Sequence, residues 1–214
     1  MKSITVALLA SLAIGKKCPD QKSIQQYAPE EFNIDQFMGK NPYYEIAYHD
    51  HTQPEICGCQ VSRKSLETST KMLDDSQIQC PYDSSDPYFG HIYKQPLYYN
   101  LTDEPGIYQG DWFVTPNVAY PDTVVAFGKP ESDGDEYPWA LEFQCVEQHG
   151  RTAFAAVNFL SRANTGAVME KNYAEMLEAA AQSGIDQYWD KLIIVDHSNC
   201  VYERSDAMEA QFLV

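Results

Sequence analysis

The sequence contains few basic residues. It has 15 Lys and Arg residues against 31 Asp and Glu residues, which gives a formal net charge of −16 at pH 7. Nucleic acids and anionic membrane surfaces carry dense negative charge, and such a chain would be repelled by both. We therefore exclude nucleic acid and anionic membranes as partners and interpret the acidity as a contribution to solubility.

Long hydrophobic runs are missing beyond the N-terminus. Residues 4–14 form an uncharged apolar run that follows Lys2 and ends in small residues just before Lys16, a pattern typical of a secretory signal peptide. This run is too short to span a bilayer, which takes about 20 apolar residues, and no later run is long enough. We predict a signal peptide at 1–15 and a single domain at 16–214, which is secreted or, alternatively, delivered to the lumen of an organelle.

Motifs of the common catalytic and cofactor sites are also absent. The chain has no GxSxG, P-loop, HExxH or GxGxxG sequence, so no cofactor is predicted and the chain is interpreted as a non-enzyme. His49 and His51 place two imidazoles on one strand face, a spacing that suits zinc, but no third ligand accompanies them. No metal site is therefore predicted.

Cysteine is present in an even number. The six cysteines are spread over the chain that follows the predicted signal peptide, which in an oxidising compartment predicts three disulfides. The pair Cys57 and Cys59 lacks the CxxC spacing of a zinc site. One N-glycosylation sequon, Asn100-Leu101-Thr102, predicts a glycosylated surface loop.

The middle of the chain is a series of short strand-like runs. They are rich in Tyr, Phe, Val and Thr, several alternate apolar with polar residues, and Gly, Pro, Asp and Asn separate them. This spacing predicts an antiparallel sandwich or barrel. The runs are Tyr43–Tyr48, Gln60–Leu66, Tyr88–Tyr93, Gly106–Val114, Thr123–Phe127, Trp139–Val146 and Thr152–Leu160.

A single helix is predicted between Asn164 and Gly184. Its apolar residues recur at i, i+3, i+4 and i+7, so one stripe packs against a structure that is already built. A last short strand is predicted at Lys191–Val195. The residues of the stripe are Tyr173, Met176, Leu177 and Ala180.

Strands, one helix and one further strand follow one another in the order of a lipocalin, and several segments resemble that family. Residues 32–47, FNIDQFMGKNPYYEIA, are similar to its first motif, GxWYEIA, with two extra residues after the glycine and Tyr43 in place of tryptophan. Residues 153–162, AFAAVNFLSR, resemble the third motif. Residues 139–145 are similar to strand G and its cysteine, whereas the second motif, TDY, is replaced by VAFG at 125–128.

The resemblance is nearest to the apolipoprotein D branch, and Cys57-Gly58-Cys59 with Cys80 is also similar to the chloroplast lipocalins of plants. It implies an all-β fold: an eight-stranded antiparallel up-and-down barrel with one C-terminal helix packed outside. It also implies a carrier whose calyx binds a small hydrophobic ligand of the retinoid, carotenoid, bilin or fatty acid class.

The family's inward-facing alternation implies a set of ligand-binding residues and a closed floor formed by Tyr43 and Arg162. Several members of the set are polar and would be costly to bury without partners. The ligand is therefore expected to carry polar ends, or water fills part of the calyx. The ligand-binding set is Ala47, His49, Ile107, Gln109, Val124, Ala126, Glu142, Phe154, Ala156 and Asn158.

The resemblance also implies the disulfide pattern. Cys59 would pair with Cys200 and Cys18 with Cys145, as in the apolipoprotein D branch, which leaves Cys57 for Cys80. Cys57 and Cys59 lie so close together that either is a candidate partner of Cys200.

Two alternative functions belong to other classes. One is a lipocalin-fold enzyme such as a xanthophyll de-epoxidase, in which Glu142 and Asp111 would share a proton across the cavity. The other is a protein-binding module that uses the tyrosine-rich segment Tyr82–Tyr99. A protein receptor or a second copy of the chain would then be the partner.

Overall fold

The computed structural model describes residues 16–80, 92–111 and 119–202. The predicted signal peptide at 1–15 lies outside these residues, and so does the first part, 82–91, of the tyrosine-rich segment 82–99. The side chain of Asp111, the predicted partner of Glu142 in the enzyme alternative, also lies outside the described part of the chain.

Eight antiparallel strands close into a barrel. Each strand pairs with the next along the chain, and β1 pairs with both β2 and β8, which removes the free edges of the sheet. A ninth strand adds to the outer side of β1. The strands are Tyr43–His49 (β1), Gly58–Thr68 (β2), Lys71–Gln79 (β3), Ile92–Leu101 (β4), Ile107–Asp111 (β5), Ala119–Phe127 (β6), Trp139–Gln148 (β7), Arg151–Ser161 (β8) and Ile193–Ile194 (β9).

Short turns set the up-and-down order. Only two residues, His149 and Gly150, connect β7 to β8, and both have positive φ, at 52° and 75°. Such a turn follows the right-handed twist of the two strands and fixes their register. The register then shifts by one residue between Val146 and Glu147, which pairs Trp139 with Ser161 at the other end of the hairpin.

Three α-helices accompany the barrel: α1 at Gln21–Ile24, α2 at Ile34–Met38 and α3 at Gly166–Ser183. The side chain of Asn33 caps α2 by accepting from the amides of Asp35 and Gln36. Gly184 ends α3 in the left-handed conformation, with φ at 72°. No helix in the described ranges is long and apolar enough to cross a membrane.

Helix α3 packs on the outside of the barrel, so the predicted fold class is confirmed. Met176 and Ala180 of the predicted stripe are fully buried in this outer cluster, which includes Phe159, whereas Leu177 is 36% exposed. A second cluster fills the closed end of the barrel from within, and we call it the aromatic plug. The plug contains Phe37, Tyr43, Met72, Tyr99, Tyr108, Tyr120, Val124, Tyr137, Ala140 and Leu160.

Three disulfides are present, and two of them tie the terminal segments of the chain to the barrel. Cys18 is bridged to Cys145 in β7, Cys59 in β2 to Cys200, and Cys57 to Cys80. These are the pairings that the lipocalin resemblance implies. Because Cys59 has a positive φ of 53°, the chain turns sharply between the two neighbouring cysteines, and they reach different partners.

Asn100, the predicted glycosylation site, lies in strand β4 and not on a loop. It is opposite Lys71 of β3 and Gln109 of β5, and its side chain is exposed. The expectation of a surface loop is therefore wrong, and glycosylation at this position stays a prediction.

Candidate ligand cavity

A cavity of about 330 Å³ occupies the barrel between the aromatic plug and the β1–β2 loop. This volume is at the lower end of the range for small-molecule sites. Apolar and tyrosine side chains supply much of its wall: Val61, Ile78, Tyr93, Leu97, Tyr99, Tyr120, Phe154 and Leu160. The polar lining consists of Glu45, Asp50, Thr52, Gln53, Ser62, Asp74, Ser76, Gln95, Glu142, Gln144 and Asn158.

Half of the predicted ligand-binding set has the predicted orientation. Glu142, Phe154 and Asn158 line the cavity. Ala156 lies opposite Gln144, another lining residue, on the inner face of β8. Val124 also points inward, but it is packed into the plug below the cavity.

A bulge in β1 reverses the orientation of two predicted residues. The pairing of β1 with β8 shifts by one position between Glu45 and Ala47, so the inward alternation that holds at Glu45 is lost beyond it. Ala47 is instead buried in the outer cluster opposite Phe159. His49 lies opposite Val157 of the same cluster. Their predicted places in the cavity are wrong.

A second bulge has the same effect on β6. The register with β7 shifts between Val124 and Ala126, so Ala126 lies opposite Leu141 and is packed in the outer cluster. The inward prediction for Ala126 is wrong for the same reason as that for Ala47.

Strand β5 is turned over relative to the prediction. Ile107 is paired with Thr123, which is itself opposite Phe143 of the outer cluster. Because side chains alternate along a strand, Ile107 and Gln109 face outward. Tyr108 faces inward, and its ring stacks on Phe37 with 5.9 Å between the centroids. The inward prediction for Ile107 and Gln109 is therefore wrong.

A buried ionic cluster forms the floor of the cavity. The Lys64 ammonium lies 2.6 Å from Asp74 Oδ2 and 3.0 Å from Glu142 Oε1, and all three side chains are at most 8% exposed. Asp74 also accepts a hydrogen bond of 2.7 Å from the Ser62 hydroxyl. Nζ of Lys64 sits 5.4 Å from the centroid of the Phe37 ring at the top of the plug. This cluster was not predicted from the sequence, because a lysine in a polar strand is normally exposed.

A further carboxylate, that of Asp122, is buried beside this cluster. Its Oδ2 accepts a hydrogen bond of 2.9 Å from the Gln144 amide, while Oδ1 has no hydrogen-bond partner in the described structure. Nearby, the Tyr120 hydroxyl donates to that of Tyr99 at 3.3 Å. A buried oxygen without a partner is costly. A hydrogen-bond donor placed next to Asp122 Oδ1 would therefore be stabilised.

Glu45 is a further acidic group of the cavity wall. In the orientation of Asn158 that satisfies its amide, the amide nitrogen donates to Glu45 Oε1 at 2.9 Å. Asn158 is opposite Glu142 on the neighbouring strand. Glu45, Asn158 and Glu142 therefore form a row across strands β1, β8 and β7.

Burial raises the pKa of three of the carboxyl groups, those of Glu142, Asp122 and Glu45. The pKa of Glu142 is raised to about 8 and that of Asp122 to about 6, while that of Glu45 is well above its usual value. Desolvation of the charged form is the main cause in all three cases. For Glu142 the Lys64 ammonium opposes this rise. A pKa of about 8 allows Glu142 to exchange a proton near neutral pH.

The closed end of the barrel is held by Arg162. Its guanidinium carbon lies 3.6 Å from the centroid of the Tyr43 ring, an arrangement that the lipocalin resemblance implies. Its Nη2 donates to the carbonyls of Phe37 and Met38 at 2.9 and 3.1 Å. The side chain also lies 3.6 Å from Glu136, so it connects the end of α2 to the barrel wall.

Replacing Arg162 by Ala should lower the free energy of unfolding by about 3 kcal/mol, because the ring stacking and the bonds to buried carbonyls are lost together. The melting temperature should fall by roughly 6–12 °C. Arg151→Ala, at the exposed start of the same strand, is the matched control and should melt like the wild type. Equal melting of both variants would contradict a structural role for Arg162.

No group of three or more metal-ligating side chains occurs in the described ranges. The rings of His49 and His51 lie 4.7 Å apart. Nδ1 of His49 is 3.0 Å from the carbonyl oxygen of Lys191, so one of its nitrogens is occupied in the contact between β1 and the segment before β9.

Protein-family models and curated protein sequences give no match to this chain. Solved structures do match it. Lobster apocrustacyanin A1 is 15% identical, with 88% of this chain and 93% of that chain covered and a TM-score of 0.61. Lipocalin 12 from rat epididymis is 13% identical, with 83% and 97% covered and a TM-score of 0.55.

The siderocalin Ex-FABP, described as functioning through dual ligand specificities, is 14% identical, with 76% and 97% covered and a TM-score of 0.52. Identities this low show a shared fold and no more. The chain has the fold of these lipocalins.

Proposed function

We propose that this chain is a secreted lipocalin that binds and carries a small, largely apolar ligand inside its barrel. The observation that carries the proposal is the cavity of about 330 Å³ above the aromatic plug. The fold shared with lipocalin 12 and with a siderocalin of dual ligand specificity supports it. Three disulfides support an oxidising compartment.

The apolar part of the wall supplies the driving force. Burial of ligand surface against Leu97, Phe154 and Leu160 contributes about 25 cal/mol per Å² of apolar area. The plug limits the depth of the site, because Phe37 and Tyr43 are fully buried beneath it. A ligand therefore extends from the ionic floor toward the β1–β2 loop.

The polar floor narrows the ligand classes that the lipocalin resemblance implies. Fatty acids and bilins carry carboxylates, and these would meet Glu45, Asp74 and Glu142 at the inner end of the cavity. Like charges at close range in a buried site are unfavourable. Among these classes, a ligand with a neutral inner end, as in a retinoid or a carotenoid end group, fits better than one with a carboxylate.

A fluorescent neutral probe such as retinol should bind with a dissociation constant of about a micromolar or below. Ser76→Trp should weaken this binding at least tenfold, because the indole fills space that Ser76 now lines. Leu66→Trp, at an exposed position of β2, is the matched control and should bind like the wild type. Fluorescence titration of the three proteins measures both effects. An unchanged affinity in Ser76→Trp would place the ligand elsewhere.

A lipocalin-fold enzyme is the second candidate. Glu142 favours it, since a carboxyl group that lines a cavity and has a pKa near 8 can act as a general acid at neutral pH. Mass spectrometry of the protein with its co-purified small molecule separates the two functions. An unchanged, stoichiometric ligand supports the carrier, whereas a converted product supports the enzyme.

A further inference from the structure

The interior of the barrel contains an excess of acidic groups. Four carboxyl groups, those of Glu45, Asp74, Asp122 and Glu142, are buried there at 1–8% exposure. Among the described side chains, Lys64 is the single cation in ion-pair contact with any of them. The cavity wall is therefore acidic before any ligand enters.

Lys64 is not available to a ligand. Its ammonium is bound between Asp74 and Glu142 above the Phe37 ring, and it does not line the cavity. An anion entering the cavity would meet the carboxyl groups and not the lysine.

Two of the carboxyl groups retain unused acceptor capacity. Glu142 lines the cavity and is 2% exposed, and its two oxygens share one donor, the Lys64 ammonium, at 3.0 Å from Oε1 and 3.3 Å from Oε2. Glu45 has the amide of Asn158 as its hydrogen-bond partner. Neither carboxyl group is fully matched by donors, and both face the same space.

Two tyrosine rings in the cavity wall suit a cation as well. Tyr99 and Tyr120 line the cavity with their rings at 81° to each other and 5.9 Å between the centroids. The face of a tyrosine ring attracts an ammonium group and also packs against an apolar body.

We propose that the cavity takes an organic cation: a primary ammonium on an aromatic or short aliphatic body. The ammonium lies at the row formed by Glu45, Asn158 and Glu142, and the body packs toward Leu97 and Phe154. This inference rests on the proposed carrier function and names its ligand class. The formal charge of −16 favours the encounter, because an acidic protein attracts cations and repels anions.

Binding should be coupled to protons. Glu142 is faced by Lys64 of β2, Asp74 of β3, Asp122 of β6 and, on β1, Glu45. The phenol groups of Tyr43 and Tyr108 also lie close to it. An ammonium favours the ionised form of a carboxyl group whose pKa is about 8, so it releases a proton on binding, and affinity rises with pH from about 6 to 8.

Three probes of one shape test the proposal: phenylbutylamine, phenylbutanol and phenylbutyrate, titrated into the full-length protein by calorimetry at pH 7.5. We expect the amine to bind about tenfold more tightly than the alcohol, and the carboxylate to bind more weakly than either. Heats measured in two buffers of different ionisation enthalpy should show that protons are released with the amine alone.

Glu142→Gln should weaken the amine about tenfold and leave the alcohol unchanged. Glu147→Gln, the same substitution at an exposed position of β7, is the matched control and should bind both probes like the wild type. If Glu142→Gln does not fold, the wild-type protein decides the proposal: proton release with the amine supports it, and no proton release contradicts it.

The outcomes separate the two proposals. Equal or tighter binding of the alcohol or the carboxylate overturns the cation site and leaves the carrier intact. Binding of retinol without binding of any phenylbutyl probe does the same. Binding of neither retinol nor the three probes overturns the carrier function itself.

Discussion

Replacing Lys64 by Met should lower the free energy of unfolding by about 3–5 kcal/mol, the cost of removing one partner from a buried ion pair. The substitution keeps the length of the side chain and removes the ammonium between Asp74 and Glu142. The two carboxyl groups then remain buried without a cation. They can escape this cost only by taking up protons, so the loss should be largest at alkaline pH.

Urea denaturation measures the effect, and Lys71→Met provides its control. Lys71 is a partly exposed lysine in β3 whose side chain, 40% exposed, pairs with Glu67 at the surface. Such pairs contribute little, so its replacement should change stability by less than about 1 kcal/mol. Adding Asp74→Asn to Lys64→Met should restore part of the loss, because it removes a charge that has lost its partner. A loss below about 1 kcal/mol in Lys64→Met would contradict the buried ionic cluster.

Stability of the wild-type protein should fall as the pH rises from 6.5 to 8. In the unfolded chain a glutamate has lost its proton at about pH 4.3, whereas folded Glu142 keeps its proton up to a pKa of about 8. The folded state therefore binds more protons across this window, and stability decreases with pH by up to about 1.4 kcal/mol per unit for each proton.

Between pH 6.5 and 8, His197 and Asp122 contribute little to the change in stability. His197 has a lowered pKa because it is buried, so it costs stability only as the pH falls through its usual value of 6.5. Asp122 has released most of its proton above its pKa of about 6. Glu142→Gln should remove up to one proton's worth of the slope, whereas Glu147→Gln at the surface should leave it unchanged. An equal slope in both variants would show that Glu142 is ionised in the folded protein.

The architecture of the barrel was within reach of the sequence. Strand-like runs, the apolar stripe at Tyr173–Ala180 and the cysteine positions all reflect local periodicity or fixed spacing. The helix on the outer face is present in the structure. The stacking of Arg162 on Tyr43 and the three pairings, which the lipocalin resemblance implied, are also present.

The composition of the cavity was much less accessible, and the reason is geometric. A bulge adds one residue to a strand without a composition of its own, so counting every second residue gives the wrong face beyond it. Ala47 and Ala126 were assigned inward for this reason, and each lies just past a bulge. Ile107 and Gln109 show a related error, because an alternation carried across a loop has no fixed phase.

Strands β3 and β4 were also poorly predicted. Strand β3 was not recognised, since Asp74 and Ser76 place polar side chains on the face that would normally carry apolar ones. Strand β4 was predicted to end at Tyr93 but continues to Leu101, and residues 88–91 of the prediction lie outside the described residues. Both errors come from an interior that is partly polar, which is the property that gives the cavity its acidic floor.

The three disulfides also define how the molecule would carry a mechanical load. A force applied to the two ends of the chain passes from Cys18 to Cys145 at one end, and at the other from Cys200 to Cys59 and then from Cys57 to Cys80. The shortest backbone between these loaded points is residues 18–57, which contains β1, whereas residues 80–145 form a longer parallel path. Strand β1, at the seam that closes the barrel, is therefore the strand that becomes taut first under tension.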